Sequence, residues 1–188
     1  MSETRDWQGM KSMSARLLKE RTGEDVDAWK KRIEKEAFND EQQLRDWLSA
    51  QGVTGYAQSL LVMERFGYPD FMRASAEELI AGQYADRPRL RPILDAILAA
   101  ALGLGPVTVQ ARKTYVSLVS PRRTFARVQP TTRQRVDLGL RLDGFQPGGR
   151  LQPSKIQETM PLQISLTTAD DVDAEVLDWL QQTYEQNR

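Results

Sequence analysis

The hydrophobic period of this 188-residue chain switches once, at Pro106. Upstream, Leu90, Ile93, Leu94, Ile97, Leu98 and Ala101 recur at the i, i+3, i+4, i+7 spacing of a helix laid on a core. Gly103 and Gly105 close that helix, and Pro106 forbids its continuation. Downstream the period is two. Val107, Val109 and Ala111 alternate with polar residues, as do Val116 and Leu118, Ala126 and Val128, Val136 to Leu142, and Leu162 to Leu166. This alternation predicts five strands. The turns at Ser120–Arg123 and Pro130–Arg133 are short, so the strands are expected as an antiparallel meander with one buried face. The stretch Asp143–Met160, with Gly144, Pro147, Gly148, Gly149 and Pro153, reads as a long loop.

Helical signals flank the strands. Lys11–Arg21 is a short helix stopped at Gly23, and Asp25–Phe38 is a second with Val26, Trp29, Ile33 and Phe38 on one side. Asn39 reads as the N-cap of a third, Asp40–Ala50, and Tyr56–Phe66 is a fourth ended by Gly67 and Pro69. Gly52-Val53-Thr54-Gly55 between them reads as helix capping. Ser75 and Glu78 spell a capping box that opens a fifth. A last helix is expected over about residues 169–186, with Val172, Val176, Trp179, Leu180 and Thr183 as its stripe. Asp170, Asp171 and Asp173 fall in its first turn, where the helix dipole favours negative charge. Segregated helices and strands give an α+β class. The expected organisation is a helical domain over residues 1–84 and an α+β domain with an antiparallel sheet over 85–188. Ile97 and Trp179 are expected at the centre of the packing between helices and sheet.

Composition removes much chemistry. Cysteine and histidine are both absent. Disulfides, thiol nucleophiles, Ser–His couples and thiolate or imidazole metal sites go with them. No P-loop, no G-x-G-x-x-G after a strand and no G-x-S-x-G is present. The acids of Asp170–Glu175 lack the spacing of a calcium loop. No cofactor, metal or catalytic residue is therefore expected. No apolar run approaches the ~20 residues of a membrane span, and the N-terminus lacks a signal-peptide core, so a cytoplasmic protein is expected.

Lys+Arg and Asp+Glu balance at 26 each, but unevenly along the chain. Residues 107–160 hold ten cations against three acids, while residues 161–188 hold six acids against one cation. The strand region is thus the basic part. Alternation places Arg112, Tyr115, Phe125, Arg127, Arg133, Arg135 and Arg141 opposite the core, with Lys113 beside them. Arginines interleaved with two aromatics are the makeup of a base-stacking platform. The alternative is a covered face, on which Tyr115 and Phe125 form a small second core and the arginines pair with acids. For Lys113 and Tyr115, anion binding stands beside a snorkelling lysine and a Tyr115–Phe125 cross-strand pair.

The run Leu102–Pro106, Lys113–Tyr115, Phe125–Pro130, Val136–Leu140 and Leu166–Asp173 resembles family 5655 of the bacterial domains of unknown function, over about residues 85–187. Its pattern is a helix ending L-x-L-G-P, a K-x-Y strand, an F-x-x-V-x-P strand, a V-x-L-x-L strand and an L-x-S/T-x-x-D-v-D helix start. The upstream helices are similar to the short helical family 4287. The resemblance implies no established activity. Related domains occur in predicted transport proteins and at the ends of restriction-associated proteins, a setting compatible with nucleic-acid contact. Many relatives carry a histidine before the last strand, where this chain reads Glu158-Thr159-Met160-Pro161, so no role of that histidine transfers.

The function expected from these features is a non-catalytic binding module whose basic sheet face takes a polyanion such as single-stranded nucleic acid. The alternatives are an enzyme working without histidine or cysteine, and a structural homodimer or protein-interaction module.

Overall fold

The structure is a computed structural model that describes residues 7–69, 72 and 74–188. The first six residues of the helical region lie outside the described residues. The chain divides into two compact units, residues 5–73 and residues 74–188.

The first unit holds α1 (Trp7–Thr22), α2 (Val26–Glu34), α3 (Glu41–Ala50) and α4 (Gly55–Phe66). Two of the starts are fixed by a side-chain cap. The Asp25 carboxylate accepts the Ala28 amide at 3.0 Å and opens α2, and Asp40 accepts the Gln43 amide at 2.9 Å and opens α3. The cap of α3 is therefore Asp40 rather than Asn39. Gly52, at φ 78°, ends α3 in the left-handed conformation, and the following Val53 amide returns to the Leu48 carbonyl. The helices close over Leu18, Trp29, Ile33, Leu44, Leu48, Val53, Ala57, Leu61 and Val62. Trp29 packs edge-on against Trp47 and donates its indole N–H to Thr22 Oγ1 at 3.1 Å.

The second unit begins at Ala74. It holds α5 (Ala76–Tyr84), a 3-10 turn (Pro88–Leu90), α6 (Arg91–Leu102) and then the strands. Ser75 and Glu78 form the capping box of α5. Gln83 on that helix donates to the carbonyls of Arg112 and Tyr115, at 2.6 and 3.1 Å, which fastens α5 to the turn after the first strand.

The sheet has six strands, not five: β1 (Thr108–Ala111), β2 (Val116–Val119), β3 (Thr124–Gln129), β4 (Val136–Leu140), β5 (Gln152–Gln157) and β6 (Met160–Leu166), in the order β1-β2-β3-β4-β6-β5. Every neighbouring pair is antiparallel. The extra strand lies inside the stretch read as a loop. Its sequence, QPSKIQ, carries no apolar alternation because it is an edge strand that buries almost nothing. Pro153 is tolerated there for the same reason.

α6 and α7 (Ala174–Asn187) supply the helical side of the core. Leu90, Ile93, Leu94, Ile97 and Ala101 meet the row Leu118, Ala126, Leu140 and Leu162, together with Val116, Val128, Leu138 and Ile164. From α7 the buried residues are Val176, Leu180, Thr183, Tyr184 and Asn187. Trp179 is not central. It is half-buried at the margin, edge-on to Phe145 at 5.5 Å. The acidic start is also finer than one helix turn. Asp171 closes a capping box with Thr168 on a 3-10 turn (Ala169–Asp171), and Asp173 caps α7.

Candidate anion-binding face of the sheet

Strand register defines the face opposite the helices. One row runs Gln110, Ser117, Arg127, Gly139, Gln163 and Gln152, and the next runs Gln129, Asp137 and Ser165. Arg127 stands in the middle of the first row. Its guanidinium carbon lies 3.4 Å from the centroid of the Tyr115 ring, a cation–π stack, and its Nη1 donates to Gln157 Oε1 at 2.9 Å. Burial lowers its proton affinity, with Tyr115 pulling the other way. No carboxylate pairs with it among the described residues.

Phe125 is not on this face. It is fully buried in the main core, edge-on to Tyr184 with centroids 5.3 Å apart. The cause is a β-bulge. Leu118 pairs with Ala126 but Val119 pairs with Thr124, so Phe125 has no partner on β2. Two successive residues, Phe125 and Ala126, then point the same way, into the core. The expected pair of stacking aromatics is reduced to Tyr115.

The remaining expected residues separate into two groups. Arg135 Nε lies 3.0 Å from Asp137 Oδ1. Asp137 is 1% exposed and also accepts the Ser165 hydroxyl at 2.6 Å, so Arg135 neutralises a buried carboxylate. Arg133 is exposed and 3.7 Å from Asp86, in the turn between β3 and β4. Arg112 donates to Gln110 Oε1 at 3.0 Å, and Lys113 is exposed in the β1–β2 turn. Arg141 is half-buried on the strand exit after β4. Burial, and then the nearby charge of Arg123, lower its proton affinity, against a raising pull from Asp143. Tyr115, Arg127 and Arg112 thus lie around one area, Arg141 lies on the β4 exit, and Arg133 and Arg135 are engaged with acids.

Two other arginines of this unit are structural. Arg150 donates to Asp173 Oδ2 and to the Asp171 carbonyl, both at 2.7 Å, tying the segment after β4 to the start of α7. Arg87 donates to the Pro130 carbonyl at 2.8 Å and to Asp86 at 2.7 Å.

Alternation alone missed two features. The tip of the β5–β6 hairpin folds onto this face at Gly139. A Cβ at that position would stand 3.1 Å from Ile156 Cδ1 and 3.4 Å from Met160 Cβ. Gly139 is the side-chain-free position that admits the tip, and its lone glycine in the V-x-L-x-L strand is the signal that could have found it. The second is Arg123, a turn residue with no place in an alternating pattern.

Residues 77–187 match the profile of a family described as a domain of unknown function (DUF5655). No curated protein and no solved structure matches the chain. Among the described residues no helix is long and apolar enough to cross a membrane.

Proposed function

Because the chain belongs to the DUF5655 family of domains of unknown function, whose description names no chemistry, we propose a function from the site itself: a non-catalytic binding module that takes an anionic, base-bearing partner on its basic sheet face. Single-stranded nucleic acid is the partner class that fits. The observation that supports this is the Arg127–Tyr115 stack. It presents a cation on an aromatic, in the centre of a strand row, with no carboxylate paired to it among the described residues. A planar base gains from both surfaces of such a pair, and a phosphate gains from the charge.

The test is a fluorescence titration with a labelled single-stranded oligonucleotide at low and moderate salt. Binding falls steeply with salt, because released counterions drive it. Arg127→Ala weakens it and flattens the salt slope. Tyr115→Ala removes stacking worth ~1–3 kcal/mol per base and leaves the slope unchanged. Phe125→Ala is no test of the face, since that ring is in the core. Absence of binding at low salt, or binding indifferent to both substitutions, overturns the reading.

A second reading, a protein-interaction module, is favoured by one feature. Phe145 and Leu177 are exposed apolar residues, and Phe145 packs on the half-buried Trp179. They are too few to form a large contiguous patch.

A further inference from the structure

The end of the sheet where the β2–β3 turn, the β4 exit and the last turn of α7 meet holds two arginines, Arg123 and Arg141. Their backbones are firmly held. Ser120 Oγ in the turn accepts the Arg123 amide at 3.1 Å and donates to the Asn187 carbonyl of α7 at 2.7 Å. The Arg141 amide donates to Phe125 O at 2.9 Å, and the Arg141 carbonyl accepts from Thr183 Oγ1 at 2.9 Å and Asn187 Nδ2 at 2.8 Å.

The guanidinium groups are the opposite case. Among the described residues neither donates a hydrogen bond to any acceptor, and the Nε atoms of both are buried and unpartnered. Among the described residues the one acidic partner is Asp143, 3.8 Å from Arg123 Nη2, with a carboxylate that is 68% exposed. Arg150 and Arg87, by contrast, have acceptors within hydrogen-bond distance. Two like charges at one end of the sheet, both half-buried, with Nε–H groups facing no acceptor, are an arrangement that an oxyanion completes. Burial first, and then the charge of Arg123, lower the proton affinity of Arg141.

We propose that Arg123 and Arg141 form a site for a phosphoryl group, with the Asp143 carboxylate as an internal anion that the ligand displaces. The fork of a guanidinium matches phosphate oxygens two at a time, and two forks leave room for a monoester or a diester. The site adds Arg123 to the basic face. It rests on the reading above only for what the phosphate is attached to.

The test uses the full chain, labelled with ¹⁵N, and follows the Nε–Hε resonances of Arg123, Arg141 and Arg127. Three probes are titrated: inorganic phosphate, a nucleoside monophosphate and a single-stranded oligonucleotide, with sodium chloride matched in ionic strength as control. Phosphate is expected to shift Arg123 and Arg141 saturably and to leave Arg127 in place. The two nucleotide probes are expected to shift all three. Arg141→Gln weakens phosphate binding by about tenfold or more, the loss of one charge-assisted contact. Asp143→Asn strengthens it several-fold, which a purely structural role for these arginines does not produce. Circular dichroism confirms that both variants fold.

The proposal is overturned if phosphate gives no saturable shift at Arg123 and Arg141, if chloride shifts them equally, or if Arg141→Gln binds phosphate as the parent does. Phosphate binding without oligonucleotide binding supports the site and overturns the nucleic-acid reading. Oligonucleotide binding that needs Arg127 but is indifferent to Arg141→Gln does the reverse.

Discussion

Gly105 shows how one backbone position constrains the packing above it. Its φ is 147°, a conformation that L side chains rarely adopt, and a Cβ there would stand 2.6 Å from the Tyr184 hydroxyl and 3.3 Å from its ring. Tyr184 is buried and packs edge-on to Phe125, so the ring has little freedom to retreat. Gly105→Ala is therefore expected to destabilise the protein by about 1–3 kcal/mol, from backbone strain and overpacking together. Tyr184→Phe removes the atom that meets the new methyl first. The double variant should recover part of the loss, and a double-mutant cycle in urea measures the coupling. Additive losses would show that strain alone carries the cost. Phe125 makes the complementary point. Its direction is set by the missing partner on β2, which is a relation between two strands and leaves no trace in the alternation of one. The stacking aromatic assigned to it from sequence was therefore lost, while Tyr115, next to a regular strand, remained with Arg127.

Elements were legible in proportion to what they bury. α6 has five fully buried residues at helical spacing counting Leu90, and outside the bulge of β3 the strands that line the core carry apolar residues at alternate positions. These are read directly, as is the Ser75–Glu78 capping box, because its residues interact within a few positions of each other. β5 was not legible. It buries so little that nothing in QPSKIQ distinguishes it from a loop, and its pairing with β6 breaks register between Pro153 and Gln157. On α7 the largest apolar residue was the wrong guide. Leu180 is fully buried and Trp179 sits at the edge of the stripe beside Phe145. Leu180→Ala is expected to cost about 2–5 kcal/mol by leaving a cavity under β3 and β4. Trp179→Ala should cost less, because water and Phe145 take up the vacated space. Denaturant unfolding of the two variants decides the order, and a larger loss for Trp179→Ala would restore that residue to the centre. The basic face was legible only in composition. Which of its arginines pair with acids depends on register and on Asp137, whose burial the sequence does not announce.

At the scale of the whole molecule, the two cores are expected to respond differently to acid. The helical unit contains Glu64, whose carboxylate is bound by Lys11 at 2.6 Å and also by Lys30 and the Tyr68 hydroxyl. Burial alone would raise the pKa of this carboxyl, but these hydrogen bonds overcome it and bring it from 4.5 down to about 2. In the second unit the lowered carboxylates, Glu78, Asp86, Asp171 and Asp173, lie at exposed turns and caps, where charge is well screened. A carboxyl with a depressed folded pKa binds fewer protons folded than unfolded. Its contribution is complete above the unfolded value and is lost as pH falls toward the folded one. For Glu64 that window runs from about 4.5 down to about 2. The helical unit should therefore lose stability between about pH 5 and pH 2. Trp29 and Trp47 belong to this unit and report on it by fluorescence. Glu64→Gln should cost about 1–3 kcal/mol near neutral pH, since two half-exposed lysines lose their acceptor. It should also flatten the acid dependence of the tryptophan signal. Urea titrations of both proteins at about pH 7 and about pH 3 measure this. If the variant loses as much stability on acidification as the parent, another carboxylate governs the transition and Glu64 is a packing residue.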